Sequence, residues 1–154
     1  MISEAKPGDL ADIMELEREG FPARERWSEQ AWGEEIGGEG RCVLVHRGDD
    51  GRLIGVVVGS VQGDTAEIFR VVVAQDHRRL GVGRSLMVGV LDWACEAGAE
   101  RVLLEVRADN EDAIALYKSF GFETLSFRAD YYGPGSDAIV LAVSVAIKPG
   151  GCQQ

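Results

Sequence analysis

The segment that most constrains the fold runs from Val71 to Ser85 (VVVAQDHRRLGVGRS). Three β-branched residues end in a cluster of polar residues. A Gly-x-Gly turn follows, and then a helical pattern begins. A β-branched run that feeds a glycine turn and a helix reads as a strand–loop–helix unit, and such units belong to α/β architectures. Gly81 and Gly83 let the backbone approach a ligand closely and aim N–H groups at it. The free donors and positive dipole end of the following helix point the same way. Arg78, Arg79 and Arg84 bring cationic charge to that place. The segment therefore reads as an anion cradle of the kind that holds a pyrophosphate. The plainer alternative is a glycine turn with solvated arginines. Neither the dinucleotide fingerprint nor a Walker loop is present: Leu86 stands where the third glycine would be, and no Gly-Lys-Ser/Thr follows.

The cradle is a local exception in an acidic chain. The 154 residues carry 16 Lys+Arg against 26 Asp+Glu, a formal net charge of −10. That balance argues against nonspecific nucleic-acid binding, which needs clustered cations. It favours cationic partners weakly, because solubility alone also explains it. The length suits one domain with one core. No run approaches the length of a membrane-spanning helix, and the N-terminus has no secretory pattern. Cys42, Cys95 and Cys152 form no CxxC pair, and His46 and His77 stand at unrelated spacing. Two cysteines read as small buried hydrophobes and the third as a tail thiol, no metal site is expected, and the expected location is cytoplasmic.

The remaining sequence alternates between strand and helix periods. Strands are expected at 2–6, 41–47, 52–62, 66–73, 101–106, 122–128 and 137–146, with a hairpin turn at Gly48–Gly51. Helices are expected at 8–19, from a Ser28 cap towards Glu39, from Val82 to a stop near Gly98, and from an Asp109–Asn110 cap to Gly121. The expectation is a mixed, largely antiparallel sheet of six to seven strands with helices on both faces. It forms one domain over residues 1–147, followed by a flexible tail at 148–154.

Arg78-x-x-Gly81-x-Gly83 after Val71–Val73 resembles the acyl-CoA-binding motif of the GNAT acetyltransferase superfamily. The segment from Leu104 to Phe122 (LEVRADNEDAIALYKSFGF) narrows the likeness to the RimI branch. Phe21-Pro22 with Trp27-Ser28 supports it, as does Arg128-x-Asp130-Tyr131-Tyr132 followed by Asp137-Ala138-Ile139. The resemblance spans roughly residues 2–146. It implies a GNAT fold and transfer of an acetyl group from acetyl-CoA to a protein N-terminal α-amine, in bacteria chiefly that of a ribosomal protein. It implies Glu105 as general base and Tyr117 as general acid. It also implies that Val71, Val72 and Val73, the loop Arg78, Arg79, Leu80, Gly81, Val82, Gly83 and Arg84, and Asn110 hold acetyl-CoA. Three positions depart from the family's pattern: Arg70 replaces a common Asn, Ala74-Gln75 replaces an acidic-Pro or His-Pro pair, and Leu80 replaces a polar residue or glycine.

The chemistry of the residues is compatible with these roles. Deprotonating an α-amine at pH 7 costs about 1 kcal/mol and a lysine about 4.6 kcal/mol, so one modest carboxylate serves the former. Spacing alone leaves other readings open. Glu105 is either a base or a solvent-facing strand residue, although a carboxylate within Leu-Leu-Glu-Val needs a reason. Tyr117 also fits a helix core, and Asn110 a simple cap. Phe21, Trp27 and Tyr132 are expected to border the acceptor groove, with plain packing as the alternative. The functional alternatives are an acetyltransferase for a small amine or a lysine side chain, and a non-catalytic acyl-CoA-binding module.

Overall fold

The computed structural model describes residues 1–145, 147–148 and 151–152. Hydrophobic strands alternate with amphipathic helices in the order β1 (Ile2–Glu4), α1 (Leu10–Gly20), α2 (Glu29–Glu35), β2 (Arg41–Arg47), β3 (Leu53–Gln62), β4 (Thr65–Val73), α3 (Val82–Glu96), β5 (Arg101–Arg107), α4 (Glu111–Ser119), β6 (Glu123–Arg128) and β7 (Ala138–Ser144). Local chemistry sets the ends. The Ser28 side chain accepts the Ala31 N–H and opens α2, and the Asn110 side chain accepts the Ala113 N–H and opens α4. α2 is shorter than the run towards Glu39, because glycines at 37, 38 and 40 stop it.

Seven strands form one sheet in the order β1-β2-β3-β4-β5-β7-β6. Every neighbouring pair is antiparallel except β4 and β5. The apolar stripe of α3 (Val82, Leu86, Met87, Val90, Leu91, Ala94) is fully buried against β2, β3 and β4. The helix α1 buries Ile13 and Leu16 against β3 and β4. Cys42 and Cys95 lie in the core, as expected, but Cys95 is disulfide-bonded rather than a free buried thiol. Burial pushes the Cys42 thiol up to about 12, so it stays protonated.

Two irregularities open the sheet. Phe69 is an extra residue in β4: Val58 pairs with Arg70, whereas Gly59 pairs with Ile68. The parallel ladder between β4 and β5 covers only Thr65–Ile68 against Arg101–Leu104. From the bulge onward, β4 bonds β3 alone and β5 bonds β7 alone. A wedge opens between them.

Residues 149, 150, 153 and 154 of the expected tail lie outside the described residues. The backbones of β8 (Ile147–Lys148) and β9 (Gly151–Cys152) form a two-residue antiparallel ladder. No helix among the described residues is long and apolar enough to cross a membrane.

Candidate active site

The wedge holds a cavity of about 470 Å³. Phe69, Arg70 and Val71 line it from β4, and Leu104, Glu105, Val106 and Arg107 line it from β5. Asn110 and Tyr117 of α4 contribute, together with Phe21, Glu25 and Trp27 from the connection between α1 and α2. Tyr131 and Tyr132 from the β6–β7 turn complete it. Glu105, Tyr117, Asn110, Val71, Phe21, Trp27 and Tyr132 thus meet in one cavity although they are scattered over more than 100 positions of sequence. Val72 is buried in the core, and Val73 continues the open strand edge.

Glu105 keeps 31% of its side chain exposed and lies 3.2 Å from Arg128 Nη1. The Tyr131 hydroxyl donates to the same carboxylate, an interaction that raises the tyrosine's pKa. The Arg128 guanidinium sits 5.1 Å from the Tyr131 ring centroid. Tyr117 is buried, with the Phe122 ring centroid 6.1 Å from its own. Burial first, and Tyr132 second, raise its pKa to about 12. Its hydroxyl therefore keeps its proton through the neutral range. Arg107 crosses the cavity's outer side. It pairs with Glu25 at 3.2 Å, donates to the Ser136 hydroxyl at 3.2 Å and stacks 5.3 Å from the Tyr132 ring.

The anion loop lies outside this cavity, where β4 runs out towards α3. Arg79 and Gly81 hold left-handed backbone (φ 64° and 84°). A non-glycine residue at such a φ is uncommon outside sites that need it. Gly81 is the N-cap of α3, and no side chain caps the helix there. The first-turn N–H groups, which lack intrahelical acceptors, remain available. Arg79 pairs with Asp112 at 3.3 Å, and Arg84 donates to the Ser119 hydroxyl at 2.9 Å while stacking on Phe120. Both therefore tie the loop to α4. Arg78 reaches the Val73 carbonyl. Leu80 is exposed beside them. An uncapped helix start, left-handed turns and three arginines, continuous with the unpaired edge of Val71–Val73, fit a long thioester carrying a pyrophosphate.

Sequence reasoning gave no role to Arg107 and Glu25 of the cavity wall, nor to Arg128 and Glu17, which bond to residues of that wall. Arg107 and Glu25 carried no signal of their own and Arg128 entered only with the family resemblance, since their partners come from strand register and loop closure. Glu17 carried one: an acid between Ile13, Leu16 and the helix's buried stripe is out of place unless paired. Among the described residues, no group of three or more His, Cys, Asp or Glu side chains has the geometry to hold a metal ion.

Comparison with known proteins agrees with the fold. The model of the acetyltransferase (GNAT) family matches residues 10–122. The chain is 31% identical over 151 residues to the [ribosomal protein bS18]-alanine N-acetyltransferase of Escherichia coli strain K12, covering 95% of this chain and 98% of that protein. It is 34% identical over 146 residues to an uncharacterized protein of Mycobacterium leprae, where it spans 40% of the relative's length and 92% of its own. The crystal structure of the Escherichia coli ribosomal-protein-S18-alanine N-acetyltransferase superposes with a TM-score of 0.85 at 29% identity, covering 97% of this chain and 96% of that one. With its family model, its wedge-split sheet and relatives named as N-acetyltransferases, the chain belongs to the acetyltransferase (GNAT) family and to its RimI-like members.

Proposed function

We propose that the protein transfers an acetyl group from acetyl-CoA to the N-terminal α-amine of a protein, by direct attack of the amine on the thioester. The observation that carries this reading is the single cavity between the splayed strands. It collects a partly exposed carboxylate, Glu105, a buried protonated phenol, Tyr117, and the unpaired edge of β4 at Val71. The similarity to an enzyme named for alanine N-acetylation of ribosomal protein bS18 makes a ribosomal-type protein the acceptor to try first.

The proposed steps follow from the residues present. The loop from Arg78 to Arg84 and the α3 N-terminus take the pyrophosphate, and Val71–Val73 pair with the extended arm of acetyl-CoA. Asn110 combines its capping role with a place on the cavity wall. Unpaired strand N–H groups of β4 polarise the thioester carbonyl. Glu105 accepts the acceptor's ammonium proton, directly or through a water, as the C–N bond forms. The C–S bond then breaks and Tyr117 donates to the departing sulfur. A thiolate born in the same desolvated cavity is raised in pKa as Tyr117 is, so it competes well for that proton. The nitrogen's second proton leaves to restore Tyr117, while the proton taken by Glu105 passes to solvent. Among the described residues no cysteine lines the cavity, and Cys42 is a protonated core thiol, so the route proposed is direct rather than through an acyl-enzyme. Phe21, Trp27 and Tyr132 border the acceptor.

The test is an acetyl-CoA turnover assay on short peptides beginning with Ala or Ser, each paired with an N-blocked, lysine-bearing twin. The expected result is turnover that disappears on blocking. Turnover that survives blocking moves the reading to lysine or small-amine chemistry. Tight CoA binding with no turnover on any amine moves it to a binding module.

A further inference from the structure

The wall of the cavity formed by Phe21, Glu25 and Trp27 has little regular structure of its own. Its backbone holds one short 3-10 turn, Ala23–Glu25, between a helix end and Ser28. Its order comes from a charge pair beneath it. Glu17 of α1 is completely buried, the one buried charged side chain among the described residues. Arg70, the first β4 residue after the bulge, reaches it at 3.2 Å. The same carboxylate accepts the Trp27 N–H, and Arg70 Nη2 donates to the Glu25 carbonyl. The guanidinium lies 3.9 Å above the Phe21 ring centroid and 4.8 Å from that of Trp27. One side chain therefore holds the wall's beginning, middle and end. Arg26 adds bonds to the Phe21 and Arg18 carbonyls from the solvent side.

The pair is costly unless it has a purpose, because a buried ion pair gains little over apolar packing. Here it gives a fixed geometry. Arg70 precedes Val71, the cavity-lining residue of the open strand edge, so whatever Arg70 holds is registered against that edge. A lysine would not substitute, since the contacts use a planar fork with two aromatic rings close to it. We propose that Arg70 and Glu17 are a positioning pair that sets the acceptor wall, Phe21 to Trp27, against the donor strand, and that they govern acceptor binding while leaving donor binding alone. This rests on the reading that the cavity receives the acceptor.

The test uses the full chain with R70N, R70K and E17Q, read by steady-state kinetics and by hydrogen exchange. In R70N and E17Q, exchange over residues 21–28 is expected to rise about tenfold or more while α3 stays protected. The KM for a free-N-terminus peptide is expected to rise roughly tenfold, with the KM for acetyl-CoA within about twofold. R70K, which keeps the charge and loses the fork, is expected to fall between, and it carries the comparison alone if R70N does not fold. Unchanged exchange over 21–28 overturns the pairing, and so does a KM for acetyl-CoA that rises in step with that for peptide. A wild-type chain that turns over no peptide but shows the exchange change overturns the acceptor reading, and with it the claim on acceptor binding.

Discussion

In the proposed mechanism Glu105 and Tyr117 do opposite jobs, and substitutions of the two are expected to show different pH dependence. Freeing an α-amine of its proton at pH 7 costs about 1 kcal/mol. A base helps most where the amine is still charged. Glu105→Gln is therefore expected to lower kcat/KM by roughly 10²-fold at pH 7, with the deficit shrinking as pH rises past the acceptor's own pKa. Tyr117 is raised to about 12, so it remains a donor throughout. Tyr117→Phe is expected to lower kcat by roughly 10- to 100-fold, with a deficit that stays flat from pH 6 to 9.5. Parallel pH profiles of kcat/KM for the two variants check both; two deficits of the same pH dependence would remove the division of labour. At this scale the sequence alone was ambiguous. Spacing left Glu105 open and favoured Tyr117 as a core residue, and only the resemblance to a family singled them out. The pairing of Glu105 with Arg128 was invisible, because it runs between β5 and β6 across the intervening β7.

The elements were far more legible than the contacts between them. Arg41–Arg47 stands where its apolar run put it, and Ser28 and Asn110 cap the helices they were expected to cap. The bulge at Phe69 was not legible: the run Ile68-Phe-Arg-Val-Val-Val73 has no glycine or proline to mark it, and the extra residue is defined only by β3 alongside. Nor did any pattern say why β3 carries Gly55 within a run of buried apolar residues. A Cβ there would meet Val82 Cγ1 at 2.7 Å and Leu86 Cδ1 at 2.9 Å. The first turn of α3 thus rests on the sheet at Gly55, and the anion loop begins from that seat. Gly55→Ala is expected to cost about 1–3 kcal/mol by overpacking. It should also push the α3 N-terminus outward, raising the KM for acetyl-CoA several-fold more than that for peptide. Denaturant melts and paired KM values check this. A destabilised variant with both KM values unchanged would mean that the loop does not depend on this seat.

On the scale of the molecule, the sheet consists of two halves, β1-β2-β3-β4 and β5-β7-β6, joined by four residue pairs of parallel ladder. The helix α3 packs on the first half, through β2, β3 and β4. The two halves also share one buried core, in which Val102, Leu104, Tyr117, Phe122 and Leu141 join the apolar residues of β2, β3 and α3, and polar links between them include Arg79–Asp112, Arg84–Ser119 and Arg107–Glu25. These links are exposed or partly exposed, and such pairs contribute little individually. A thioester lying in the wedge would touch β4, the α3 N-terminus and α4 together. Binding only the folded chain, it should stabilise by about 2.7 kcal/mol at a hundred times its Kd. For a domain of this size each kcal/mol moves Tm by about 2–4 °C, so acetyl-CoA is expected to raise Tm by roughly 5–10 °C, growing with the logarithm of its concentration. An acceptor peptide alone should move Tm less, since it meets the wall from Phe21 to Trp27 and not the anion loop. Thermal melts across a range of acetyl-CoA concentrations, with and without peptide, check the argument. No shift at millimolar acetyl-CoA would remove the wedge as its site, whereas a shift of similar size with CoA alone would assign the binding energy to the pyrophosphate loop and the strand edge rather than to the acetyl group.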